Sequence, residues 1–204
     1  MISAIPLALT TYFILFAALH SLLADPSFKR WFSQRFFGAE RWYRLAFVIL
    51  ALAMMLPFIY LLFISPSRVL YIVPAPWSWL MMAGQSISIL ALFGALRQTG
   101  ISSFFGAAQM RGEAKAGNLV KDGYYCHLRN PLFLFAAAIL WLSPIMTQSL
   151  LIFNLLTTAY FYAGARHEER SLQEEFGREY EEYKKRVPMF FPRRRCAGER
   201  ARAS

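Results

Sequence analysis

Apolar runs without charge alternate with short polar stretches along this chain, and the runs have the length of membrane spans. Ile2–Ala24 carries only His20 as a titratable group, while Leu45–Ser67 and Val69–Leu96 carry none. Each is long enough for a hydrocarbon core, which takes roughly 20 apolar residues to cross. Leu132–Ala165 is also free of charge, with breaks at Ser143-Pro144 and Thr147-Gln148. From Pro131 this stretch is roughly 35 residues, too few for two full spans, so it predicts one short or tilted helix paired with a longer one. The pattern thus predicts helices over about 5–23, 45–64 (with Pro57 as the expected kink) and 77–96, then the hairpin 131–165. A charged helix over about 166–186 follows, in which Leu172, Phe176, Tyr180 and Tyr183 recur at helical spacing and mark a buried stripe, as core first and as ligand walls second. The fold class is all-α: a polytopic membrane protein of about five transmembrane helices with a C-terminal amphipathic helix.

The polar connections orient these elements. Asp25–Arg44 interleaves Lys29, Arg30, Arg35, Arg41 and Arg44 with Trp31, Phe32, Phe36, Phe37 and Trp42, the composition of a segment in the headgroup layer. Ser65–Pro76 holds three prolines and one charge, as expected of an exterior loop, and Trp77 and Trp79 mark an interface. Thr99–Lys121 is a long polar connection with glycines at 100, 106, 112 and 117, and the tail Arg193-Arg194-Arg195 is basic. The bias of positive charge predicts an integral protein of the bacterial inner membrane, its N-terminus outside and its C-terminus in the cytoplasm. Two regions follow: residues 1–98 with the first three transmembrane helices, and residues 99–204 with the loop, the hairpin and the C-terminal helix and tail.

Composition agrees with the pattern. Hydrophobic residues make up 57%, which is too apolar for an ordinary soluble domain of 204 residues. The net charge of +10 is dispersed around the membrane segments, which points to anionic headgroups of the lipid bilayer and away from nucleic acid. Cys126 and Cys196 fall in stretches placed in the cytoplasm, so free thiols are expected. His20-Ser21 near the end of the first helix reads as a packing pair facing a neighbouring helix.

Two polar clusters flank the hairpin. The first, Asp122-Gly123-Tyr124-Tyr125-Cys126-His127-Leu128-Arg129-Asn130-Pro131, ends where the apolar segment begins. Gly123 permits a tight turn, Pro131 suits a first helical turn, and Asn130 is the expected cap. Free N–H groups and a partial positive charge at this helix start, with Arg129 beside them, suit a carboxylate or phosphate. An interfacial helix start anchored by Arg and Tyr accounts for the same residues. The second cluster, Arg166-His167-Glu168-Glu169, begins where apolar sequence ends. Carboxylates at that boundary need a partner, and Arg129, Arg166, Arg170 or a cationic ligand would supply one. The remaining acidic residues of this helix read as a solvated face.

Taken together, Gly123-x-Tyr125-xxx-Arg129-Asn130-Pro131, a hairpin, and Glu168-Glu169-xx-Leu172-xxx-Phe176-Gly177-xx-Tyr180-xx-Tyr183-xxx-Val187-Pro188 resemble one family. It is that of the integral-membrane methyltransferases typified by isoprenylcysteine carboxyl methyltransferase and bacterial phospholipid N-methyltransferases. The resemblance covers about Val120–Pro192. Asn130 stands where many members have histidine, and Phe133 where many have tyrosine. Phe16-xxx-His20-Ser21-Leu22-Leu23-Ala24 is similar to the NnrU-like and methanethiol S-methyltransferase branch.

The resemblance implies S-adenosylmethionine bound at the cytoplasmic foot of the hairpin. It implies cofactor contacts from Tyr125, His127, Leu128, Arg129, Asn130, Pro131, Glu168 and Glu169, and catalytic roles for Glu169 and Arg166. No metal is implied. The acceptor would be lipophilic or a small molecule, presenting a carboxylate, amine or thiol, and oligomeric state is not legible. Two other readings stay open: a non-catalytic, NnrU-like membrane accessory protein in which Arg129 and Glu168 or Glu169 form a structural ion pair, and a haem or metal carrier using the scattered His20, His127 and His167.

Overall fold

A computed structural model describes residues 4–36, 39–64, 66–101 and 118–192. The long polar connection expected at 99–121 falls largely outside the described residues, as do Phe37, Cys196 and the Arg193–Arg195 tail. The described chain forms α1 (Ala4–Ala24), α2 (Pro26–Arg35), α3 (Ala39–Ile64), β1 (Val69–Ile72) and α4 (Trp77–Thr99). After the undescribed stretch come α5 (Tyr124–His127), α6 (Pro131–Trp141), β2 (Ile145–Thr147), α7 (Gln148–Phe176) and α8 (Arg178–Arg186). The protein is an all-α membrane protein. Stretches of α1, α3 and α4 are long and apolar enough to cross a membrane, at Pro6–Ala24, Trp42–Ile64 and Trp77–Thr99, and α6 is a shorter apolar helix.

The described residues fall into two compact units. The first draws on Met1–Val73 and Ile145–Leu156. Its aromatic core joins Phe13, Phe58 and Phe153, with Phe58 and Phe153 ring centroids 4.9 Å apart. Contacts of this kind are worth more than their buried area alone. Asp25 caps α2, its Oδ1 accepting from the Ser27 and Phe28 backbone N–H groups at 2.7 and 3.2 Å. His20 sits between the rings of Phe16 and Phe47, at 5.5 and 4.8 Å, consistent with packing against a neighbouring helix.

The connection between α3 and α4 holds more order than its three prolines suggest. Val69–Ile72 pairs antiparallel with Ile145–Thr147. The β-branched and aromatic run Val69-Leu70-Tyr71-Ile72 is short, but its strand propensity is satisfied once a partner lies beside it.

The second unit draws on Pro74–Thr99, Gly117–Pro144 and Thr157–Ser204. Here α4 lies against α6 through Gly84, Gln85 and Leu142. The Gln85 amide donates to the Ile139 carbonyl at 2.9 Å, and a Cβ added at Gly84 would come within 2.9 Å of Leu142 Cδ1. The small residues of α4 therefore serve an internal helix contact.

The hairpin is a short helix paired with a long one, as its length required. Its two legs meet through Trp141 Nε1 donating to Thr158 Oγ1 at 2.9 Å and through the Phe133 and Phe161 rings, 5.6 Å apart. The helix expected to begin at Arg166 instead continues without interruption from Gln148 to Phe176, because no breaker separates the apolar and charged sequence. Gly177, at φ +51°, ends it, and α8 starts at the next residue. A positive φ of this kind favours glycine.

Candidate functional site at the foot of the hairpin

The second unit brings the two polar clusters together. Gly123 adopts φ +61° and approaches Gln98 so closely that a Cβ there would overlap the side-chain amide, 1.9 Å from its nitrogen. Gln98 Oε1 in turn accepts from the Tyr124 backbone N–H at 3.1 Å, and this fixes the start of α5 against the end of α4. Tyr124 packs on Gly94 and edge-on to Phe135. Tyr125 and Leu128 are buried, His127 is half-buried at the end of α5, and the chain leaves α5 through Leu128 in extended form.

A strap formed by the residues after α8 crosses this foot. The Arg129 and Asn130 backbone N–H groups donate to the carbonyls of Pro188 and Met189, at 2.9 and 3.2 Å. The strap is anchored by buried Val187, which packs with Tyr180 and Tyr183 and against Leu119, Leu172 and Phe176. The Tyr183 hydroxyl donates to the Tyr125 carbonyl at 2.6 Å and so ties α8 to α5. The aromatic stripe legible in the sequence is this core.

At the centre lies a buried ion pair. Arg129 Nη2 is 2.7 Å from Glu169 Oε1, and both side chains are more than nine-tenths buried. Arg129 Nη1 also donates to the Lys184 carbonyl at 3.0 Å, so one guanidinium bridges the hairpin start, α7 and α8. Asn130 stands at the N-cap position of α6 but makes no capping bond with its side chain. Its Nδ2 instead donates to Glu169 Oε1 at 3.3 Å. This corrects the expected capping role: the amide is turned so that its N–H meets the buried carboxylate, and its oxygen accepts no helix N–H. Pro131 occupies the first turn and is buried. Lys184 Nζ lies 4.0 Å from the other Glu169 oxygen, with its side chain half-exposed.

Glu168, three residues beyond the apolar part of α7, keeps exposed surface. The protein around it, and then the charge of Glu169, hold its pKa above the ordinary carboxylate value. Arg166, His167 and Arg170 project to exposed positions on α7. The expected site residues thus separate into a buried group (Tyr125, Leu128, Arg129, Asn130, Pro131, Glu169) and a rim (His127, Arg166, Glu168). Among the described residues no group of three or more His, Cys, Asp or Glu could hold a metal ion. Cys126 is disulfide-bonded, which corrects the expectation of a free thiol there; Cys196 lies outside the described residues.

Two buried polar atoms at this foot have no hydrogen-bond partner among the described residues: Arg129 Nε and the Tyr180 hydroxyl. Buried polar atoms are nearly always satisfied, so such atoms call for a bound group or ordered water. The sequence places Tyr180 in the core first and in a ligand wall second, and its spacing carries no sign of an unsatisfied hydroxyl. Lys184 and the Pro188 and Met189 carbonyls were likewise missed, since backbone acceptors leave no mark in a sequence.

Helices long and apolar enough to cross a membrane, with a buried charge pair and orphan donors at one foot of a hairpin, define the class: a membrane protein with a candidate site at that foot. Comparison with known proteins makes it specific. The chain is 32% identical over 191 residues to methanethiol S-methyltransferase 2 of Bradyrhizobium diazoefficiens, covering 88% of this chain and 70% of the relative. It is 31% identical over 192 residues to the methanethiol S-methyltransferase of a Pseudomonas species, again covering 88% and 70%. The methanethiol S-methyltransferase of Mycobacterium tuberculosis is 28% identical over 190 residues, 87% of this chain and 74% of the relative. No family model and no solved structure matches the chain. The chain belongs to the methanethiol S-methyltransferase family, within the group that resembles isoprenylcysteine carboxyl methyltransferase, and it is an integral-membrane methyltransferase.

Proposed function

We propose that the protein transfers the methyl group of S-adenosylmethionine to a small thiol, methanethiol being the acceptor for which its relatives are named. The observation that carries this reading is the mixed-charge foot of the hairpin, where a buried guanidinium keeps an unpartnered N–H and a carboxylate lies at the rim. That donor set suits the zwitterionic amino-acid end of S-adenosylmethionine. Arg129 Nε and the free N–H groups at the start of α6 take its carboxylate. Glu168 pairs with its amine, and Tyr125, His127 and Leu128 line the remainder. Asn130 and Pro131 fix the helix start, and residues 99–204 carry the whole site.

When bound, S-adenosylmethionine supplies a methyl carbon whose bond to the sulfonium breaks, with its electron pair, as the acceptor sulfur bonds to that carbon. The chain's residues align and desolvate, and no covalent nucleophile is required of them. Glu169 holds Arg129 and Asn130 in place, so that they would meet the cofactor preorganised. Arg166, one turn before Glu169 and exposed, lends positive charge that favours the thiolate, while the thiol proton leaves to solvent. The acceptor enters from the bilayer or from water between helices, and the site opens to the cytoplasm of a bacterial inner membrane.

Calorimetry on the detergent-purified protein tests the cofactor assignment. Saturable binding of S-adenosylmethionine, weakened in Glu168→Gln, is the expected result. Folded, monodisperse protein that binds none would remove the reading and favour a membrane accessory role, for which the Arg129–Glu169 pair is a purely structural tie.

A further inference from the structure

Tyr180 is 1% exposed, and its hydroxyl is buried without a partner, whereas Tyr183, one turn on, has its hydroxyl fully engaged by the Tyr125 carbonyl. The two rings pack in one cluster, 5.9 Å apart, so the difference between them is chemical and not a matter of depth. An unsatisfied buried hydroxyl is destabilising, and a phenylalanine would fill the same space without that cost. A tyrosine that packed for its ring alone gains nothing from its oxygen. The hydroxyl lies within electrostatic reach of Glu169, Arg129 and Glu168, the groups at the centre and rim of the site. Arg129, whose charge reaches that hydroxyl, carries the other orphan, its Nε–H, on a side chain more than nine-tenths buried.

We propose that Tyr180 is a ligand-binding residue whose hydroxyl, together with Arg129 Nε, donates to the carboxylate of the methyl donor's amino-acid moiety. One neutral and one cationic donor suit the two oxygens of a carboxylate, which accepts but never donates. Glu168 at the rim complements the neighbouring ammonium. The phenol remains protonated and able to donate throughout the neutral range, since burial and then the charge of Glu169 push its pKa up to about 12. This inference rests on the proposed function and assigns that site a residue outside the expected set.

The test compares wild type, Tyr180→Phe and Tyr183→Phe, each with two probes: S-adenosylmethionine and its decarboxylated analogue. Melting temperature without ligand is read alongside calorimetric affinity. Tyr180→Phe is expected to melt no lower than wild type. It should bind S-adenosylmethionine about tenfold more weakly, the loss of one hydrogen bond to a charged group, with its affinity for the decarboxylated analogue unchanged. Tyr183→Phe, which strands the Tyr125 carbonyl, is expected to melt lower and to show no selective loss for the carboxylate-bearing probe. If Tyr180→Phe binds S-adenosylmethionine as wild type does, or weakens both probes equally, the inference is overturned while the proposed function stands. If wild type binds neither probe, the proposed function fails and this inference fails with it.

Discussion

Arg129 and Glu169 lie 40 positions apart in the chain and meet as a buried ion pair at 2.7 Å, with Asn130 donating to the same carboxylate oxygen. The pair joins the start of α6 to the charged half of α7, and through the Lys184 carbonyl it reaches α8 as well. A contact so placed is structural before it is anything else. Loss of cofactor binding on removing either partner therefore does not, by itself, locate the cofactor.

Arg129→Ala is expected to destabilise the protein by about 3–5 kcal/mol, because it leaves a carboxylate buried without its guanidinium. Lys184, half-exposed and 4.0 Å away, does not replace it. Replacing both partners with methionine is expected to recover much of the melting temperature while abolishing cofactor binding. Thermal unfolding in detergent checks this. An Arg129→Ala protein that melts with wild type would show that the pair is not the tie described.

Gly123 and Gly94 are expected to tolerate no side chain, for different reasons. Gly123→Ala forces a positive φ that costs about 1–3 kcal/mol and drives its Cβ into Gln98. At Gly94 a Cβ would stand 2.8 Å from Tyr124 Cε2, so Gly94→Val pushes the tyrosine, and α5 with it, off α4. Both variants are expected to lose methyl transfer, whereas Gly177→Ala, whose added carbon meets nothing within 4 Å, suffers only the backbone strain. Expression, melting temperature and activity of the three variants rank them.

The tyrosine cluster makes the protein sensitive to alkali. Burial, with the charge of Glu169 adding to it, raises Tyr180 from 10.0 to about 12, and burial raises Tyr125 and Tyr183 further. The unfolded chain therefore releases these protons first. Their contribution to stability is fully present below about pH 10 and is lost as pH rises toward 12. Melting temperature should fall across that window, less steeply in Tyr180→Phe. Equal slopes would mean that the Tyr180 hydroxyl titrates as a free phenol.

Much of this was legible because charge-free runs report membrane spans directly, and because Pro131 and Gly123 restrict the backbone wherever they occur. The hairpin's uneven legs followed from length alone. What escaped notice depends on partners far away in sequence. Val69–Ile72 becomes a strand only with Ile145–Thr147 beside it. The side chain of Asn130 abandons its capping role only because Glu169 is brought to it. Tyr180 and Tyr183 are indistinguishable by spacing, and only the fold shows that one hydroxyl is engaged and the other is not.

Transfer of a labelled methyl group tests the central claim most directly. Detergent-purified protein incubated with S-adenosylmethionine carrying a deuterated methyl group and with methanethiol should release dimethyl sulfide bearing one deuterated methyl, and Glu168→Gln should release much less. No labelled thioether from folded protein that binds the cofactor would contradict the assignment of a small thiol as acceptor.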